Sequence, residues 1–263
     1  MTPKPGRRTR SEVELDGRIV VRRVLEQTNA ELERTEADRA SAAKAAWTKR
    51  EKQIVYAVIF AKHFSRAIAD AFEPDFPNMQ SGETPSVAFG GVKRVDVNFS
   101  TPEAGLGFAI SLKSVHFGEK SDGASHFTHN MKRNDEELRV EATAHHLRQP
   151  YAVLVALLFL PFQSCDDRTR TSSFATWVEH LWPLKGRTGP DGPPDRFELV
   201  FVALYSRDGS ELGFYEVGGS VACPRKGRPR QLLTFSQFVQ RIKQTYYVRN
   251  GKDFAFEGEK PPA

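Results

Sequence analysis

Two periods of apolar residues divide the chain. From Trp47 to Phe72, the residues Ile54, Val58, Ala61, Ile68 and Phe72 recur at helical steps until "EPDFPN" breaks the pattern with two prolines, so a core helix is predicted there. Alternation with a period of two takes over in "RVDVNF" and "FAISLKSVHF", which flank the turn-rich "STPEAGLG". A short strand is predicted just before them at "SVAFGG". "YAVLVALLFL" has no charged residue and reads as a central strand buried on both faces, and "RFELVFVALYS" and "ELGFYEVGG" form a hairpin across "RDGS". Helices are predicted at "SSFATWVEHLW" and at "TFSQFVQRIKQTYYV", the latter capped by Thr234 or Ser236. One more helix opens at Asn134, after a polar loop from Gly118 to about Arg133, with Glu137 three positions on as in a capping box. Helices alternating with strands in this order predict an α/β protein with a central mixed sheet flanked by helices.

The first 46 residues fit neither period cleanly. Leu15, Ile19, Val20, Val24, Leu25 and Leu32 are loosely helical in spacing, "ERTEADRASAAKAAW" lacks Gly and Pro, and residues 1–50 hold 12 Lys/Arg and 8 Asp/Glu. A charged, mainly helical arm with a disordered start is therefore expected over 1–46, followed by one domain over 47–263. Composition adds little to the fold, since 39% hydrophobic residues are ordinary for a globular chain. It narrows the setting more. Cys165 and Cys223 have neither metal-ligand spacing nor a framework to build, which points to the cytoplasm. "MTPKPGRRTRSEVELDG" has no apolar leader core, and the longest apolar run, "YAVLVALLFLPF", falls short of the roughly 20 residues a bilayer requires, so no membrane partner is expected. The net charge of +5 favours an anionic partner.

Charge inside the central hairpin carries the chemistry. Alternation puts Val95, Val97 and Phe99 on one side of the first strand and Asp96, Asn98 and Ser100 on the other. In the second strand Phe108, Ile110 and Leu112 oppose Ala109, Ser111, Lys113 and Val115. One face is apolar; the other is small, polar and ionic. On the following helix Glu137, Glu141, His145 and Arg148 share a face by steps of four, four and three. A polar strand face and a polar helix face are thus available to line a cleft.

An acidic residue on one strand and an x-x-K element on the next, after a leading helix and before a helix and a buried strand, resemble the PD-(D/E)xK nuclease superfamily, which includes many restriction endonucleases. The resemblance covers about residues 47 to 205 and implies a restriction-endonuclease-like core. In that family the Asp binds a divalent metal, the acid two positions before the Lys shares it, and the Lys orients or activates the attacking water. By position Asp96 matches the first and Lys113 the last. The family's Pro is missing before Asp96, and Ser111 stands where the second acid belongs. An S-x-K variant of the family draws that acid from the following helix, which here offers Glu141 first and Glu137 in reserve. The resemblance implies magnesium or manganese bound by Asp96 and Glu141, and a metal-dependent DNA endonuclease of restriction or phage defence. Phosphodiester hydrolysis suits such residues, because charge accumulates on phosphate oxygens that a hard cation and a lysine ammonium both stabilise.

Basic residues near these elements are candidates for phosphate contact: Lys132 and Arg133 in "HNMKRN", Arg148, and Arg225, Lys226, Arg228 and Arg230 in "CPRKGRPR". Other readings stay open. Ser111 and Lys113 share a strand face, as a Ser-Lys hydrolase would need. His126, His129, His145 and His146 are potential zinc ligands, and His145 can instead meet a phosphate or orient Glu141. A non-catalytic nucleic-acid-binding protein on the same fold, a homodimer, and a partner protein held by the N-terminal arm complete the set.

Overall fold

The computed structural model describes residues 16–42, 44–88, 91–101, 105–115 and 127–251, with backbone alone for 83–88 and 91–94. Two helices come first, α1 (Gly17–Ser41) and α2 (Lys49–Phe72). Strands β1 (Gln80–Ala88), β2 (Gly91–Thr101) and β3 (Gly105–Ser114) follow, then α3 (Met131–Arg148), β4 (Val153–Pro161), α4 (Ser173–Leu181), β5 (Leu199–Tyr205), β6 (Leu212–Glu216) and α5 (Phe235–Asn250). The strands form one mixed sheet in sequence order. β1, β2 and β3 are antiparallel, β3, β4 and β5 are parallel, and β6 returns antiparallel to β5. The expected α/β architecture is therefore present.

Alternation along β4 and β5 explains why the sheet is covered on both sides. Val153, Val155, Leu157 and Phe159 join α1, α2 and α5 in one core, where Phe64 packs 4.3 Å from Phe159 between ring centroids. Leu154, Ala156, Leu158 and Leu160 join Leu138 and Ala142 of α3 and Trp177 of α4 in the other. Each parallel connection thus carries its helix across the second face, and β4 is apolar at every position because it has no solvent side.

Helix starts follow local chemistry. Thr48 and Glu51 form a capping box on α2, and Thr234 and Gln237 form another on α5, which settles the cap of the closing helix on Thr234. α3 departs from expectation. It begins at Met131 behind Asn130, whose φ of 57° is left-handed and whose side chain makes no capping bond. The amide of Asn134 already bonds Asn130 O at 2.8 Å, so Glu137 has no cap to make and is released for another contact.

The stripe expected to bury α2 holds at Ile68 and Phe72 and departs at Ile54 and Val58. Ile54 and Val58 are 55% and 60% exposed, while Phe60, Phe64, Ile68 and Phe72 are fully buried. Phenylalanines at steps of four bury more area than Ile54 and Val58, and they turn the helix to present their own stripe. In α1, Val20, Val21, Val24 and Leu25 are built into the same core as Phe60 and Phe64. Gly209 fixes this arrangement at the β5–β6 turn: its φ is +72°, and a Cβ there would lie 2.9 Å from Arg22 Cα.

Candidate functional site

The site begins where β2 and β3 part. Their ladder runs from Thr101↔Gly105 to Val97↔Ile110 and stops there, before the pairs that would join Asp96 to Ser111 and Val95 to Leu112. Asp96 replaces the missing backbone partner, its Oδ2 accepting from Leu112 N at 2.7 Å. This departure moves Val95 into the second core while Val97 and Phe99 stay in the first, so the three do not share a side as simple alternation predicted. The polar strand face is not open either. Asn98 and Ser111 are 1% and 4% exposed beneath α3.

Lys113, one residue past the parting, points from β3 to α3. Its Nζ donates to Glu141 Oε1 at 2.9 Å and lies 3.3 Å from Glu137 Oε2, and Glu137 Oε1 in turn accepts from Arg133 Nε at 2.7 Å. Burial opposes the ammonium, yet Glu141, then Glu137 and Asp96, outweigh it and hold the Lys113 pKa above its usual 10.5. The same pairs act on Glu137: burial raises it, but Arg133 and Lys113 carry it below the ordinary carboxylate range. Lys113 is a cation at neutral pH, the opposite of what a lysine general base needs. Together with the burial of Ser111, this argues against the Ser-Lys reading.

All of these charged groups but Glu141 line one wall of an open cleft of about 980 Å³. Asp96, Lys113, Arg133 and Glu137 line it from β2, β3 and α3, and α2 supplies the facing wall with Arg50, Ile54, Val58 and Lys62. Lys62 is held by Glu31 of α1 at 2.8 Å. Arg50 and Lys62 carry no signal in the sequence, because nothing local says which side of a helix will border a cleft. Exposed Ile54 and Val58 belong to the same wall.

The remaining candidates fall in three places. His129 lines the cleft, His145 and His146 are buried in α3, and His126 lies outside the described residues. Lys132 is exposed and pairs with Glu136 at 3.9 Å. Arg148 is exposed at the far end of α3, about 16 Å along the helix from Glu137 at ~1.5 Å per residue, and does not border the cleft. Arg225, Lys226, Arg228 and Arg230 are exposed on a separate loop.

Among the described residues no group of three or more His, Cys, Asp or Glu side chains is gathered to hold a metal ion. Zinc, which wants three or four such ligands, therefore does not fit the described histidines. Magnesium asks less, since one or two carboxylates suffice when water and substrate phosphate complete its shell. Asp96 bonds Leu112 N and Glu141 bonds Lys113 Nζ, so two oxygen donors of the right kind are held by adjacent residues of β3.

No family model matches the chain, and none of the curated proteins matches it in sequence. Among solved structures it superimposes on SfsA from Pyrococcus furiosus, solved in complex with Ca2+, at 13% identity and a TM-score of 0.26. The match takes in 59% of this chain and 62% of that one, so the chain spans about three-fifths of its length. An overlap this loose assigns neither a family nor an activity. Among the described residues, no helix is long and apolar enough to cross a membrane.

Proposed function

We propose that the cleft binds nucleic acid and hydrolyses its phosphodiester bonds with magnesium or manganese, as a DNA endonuclease of restriction or phage-defence type. The observation that carries this reading is Lys113, held protonated by carboxylates from β2 and α3 on the wall of an open cleft. Asp96 and Glu141 would hold the metal. When bound, that ion supplies Lewis acidity and an attacking water of lowered pKa. Lys113 donates to a nonbridging phosphate oxygen and stabilises the charge that grows there, a role its raised pKa protects. Glu137 holds Lys113 from one carboxylate oxygen and Arg133 from the other, so a phosphate reaching Arg133 is aligned with the ammonium.

The ion pairs from Lys113 to both helix carboxylates favour a second reading, a nucleic-acid-binding protein without catalysis. Incubating the protein with supercoiled DNA in magnesium, manganese or EDTA separates the two. Nicking with either metal and none in EDTA supports the nuclease, whereas retained binding with no cleavage of DNA or RNA supports the binder.

The same assay tests the ligand assignment. Loss of an outer-shell partner alone typically costs about 10–100-fold in metal affinity, so Glu141→Gln should raise the magnesium needed for half-maximal cleavage by at least about tenfold. Glu137→Gln should leave that requirement nearer wild type, because its contacts are to Lys113 and Arg133. Equal magnesium dependence in Glu141→Gln and wild type would remove Glu141 from the site.

A further inference from the structure

We infer that four arginines on two loops beside the cleft form a second contact surface for nucleic-acid backbone, several nucleotides away from Lys113. The inference rests on the nucleic-acid reading above and adds to it a subsite and a length requirement. The first loop, 166–172, follows β4, and the second, 223–230, follows β6. They are tied to one another: Ser172 N donates to Arg225 O and Gly227 N donates to Cys165 O, both at 2.8 Å. Asp167 joins the first loop to the segment that enters the cleft. Its Oδ2 accepts from Phe127 N at 3.2 Å and its Oδ1 from Ser173 N at 2.8 Å, and the chain runs on from Phe127 to His129 and Arg133 on the cleft wall. The first loop leaves the C-terminal end of β4, the strand paired with β3, at the edge where Lys113 stands.

Within this surface the cations divide into two sets. Lys226 pairs with Asp166 at 3.2 Å, and Arg228 pairs with Glu211 at 2.6 Å while lying 4.1 Å over the Phe162 ring. Those two secure the loops. Arg168, Arg170, Arg225 and Arg230 are exposed and have no acidic partner among the described residues. Their loops are pinned to each other at Cys165, Ser172, Arg225 and Gly227, and their guanidinium groups have no acid to leave, which suits bidentate capture of phosphate. A lipid surface would instead call for large apolar side chains beside the basic ones. The exposed ones, such as Ile54, Val140, Tyr151 and Trp182, lie on other elements. Strand spacing and arginine reach place this surface on the order of 15 Å from Lys113, or about four nucleotides at ~3.4 Å per phosphate along one strand.

The test compares wild type with the combined variant Arg168→Gln, Arg170→Gln, Arg225→Gln and Arg230→Gln across a salt series in EDTA. Probes are duplex DNA of about 24 base pairs and a loop-closed duplex of about 3 base pairs, whose stem of ~10 Å falls short of that reach. Single-stranded RNA of the longer length and phosphatidylserine vesicles are run beside them. At about 0.9 per phosphate, the variant should lose ~3–4 from the slope of log K against log salt on the long duplex, with at least about tenfold lower affinity at low salt. Binding to the short duplex and the melting temperature should not change. Arg168→Gln with Arg170→Gln alone should give about half of that slope change. The same loss on RNA but not on duplex keeps the surface and names RNA as its source. An unchanged slope on both, an equal loss on the short duplex, or wild-type binding to vesicles and to no nucleic acid overturns the inference. Slope loss in a protein that never cleaves would remove the nuclease reading and keep the surface. Metal-dependent cleavage with an unaltered slope would do the reverse.

Discussion

Lys113→Met should abolish metal-dependent cleavage, with a loss of at least about 10²-fold, the usual cost of removing one preorganised donor from a developing phosphate or carbonyl oxyanion. Methionine keeps the buried stem and deletes only the charge, so the melting temperature serves as the control for folding. Asp96→Asn should be as inactive. Its amide oxygen can still accept from Leu112 N, which leaves the parting of β2 and β3 intact while removing the carboxylate. Ser111→Ala should be mild, because Ser111 is buried and Lys113 is no base. A wild-type rate in either Lys113→Met or Asp96→Asn would dismiss this cluster as a catalytic site. The pH dependence has a defined sign. A lysine whose folded pKa exceeds its unfolded value of 10.5 contributes stability that is complete below 10.5 and lost as pH rises through the folded value. Cleavage and stability should therefore show no Lys113-dependent decline between pH 7 and about 10. A decline near pH 8 that disappears in Lys113→Met would mean that the ammonium is not held as described.

Glu198→Ala should be the most destabilising single change in the sheet, by about 3–5 kcal/mol, since it leaves buried cations without their partner. Its carboxylate is 1% exposed and accepts from Leu154 N at 2.8 Å and Arg249 Nη2 at 3.0 Å, with Arg187 Nε and His146 Nε2 each 3.3 Å away. Burial lowers the Arg187 pKa and Glu198 opposes that fall. Arg187 also donates to the carbonyls of Pro150, Pro190 and Gly192, so one carboxylate holds the "GRTGPDGPPD" loop, the end of α3 and the end of α5 together. For a chain of this size the loss amounts to roughly 6–20 °C in Tm. Activity at permissive temperature should survive, because Leu154 lies opposite Ala109, four residues and ~13 Å along the sheet from Lys113. A Tm within about 2 °C of wild type would show that the pairing contributes little to stability.

Order and type of most elements were legible from local pattern. β4 could be recognised as a two-sided buried strand because it carries no charge, and α4, α5 and the β5–β6 hairpin because caps and turn residues bracket their apolar residues. Candidate chemistry was legible in the same local sense. Asp96 and Lys113 were conspicuous because charge in a buried strand is expensive unless paired, and structure does bring Lys113 to the helix carboxylates that the steps of four had placed on one face.

What the sequence by itself determined was therefore each element's own period, boundary residues and misplaced charges, all properties of neighbours along the chain. Tertiary structure alone decided the rest. Whether Ile54 and Val58 or Phe60 and Phe64 bury α2 depends on total area gained against β4 and β5, which no short window contains. The start of α3 at Met131 freed Glu137 from capping and gave it to Lys113 and Arg133, a choice settled by Lys113 lying across from it. Asn98 and Ser111 became buried because α3 folds back over a face that looked polar. Arg148 was carried away from the cleft wall by the length of α3, while the arginine loops stand beside the cleft without lining it. Each of these is a question of which surfaces meet at long range, and their energies exist only once the sheet has formed.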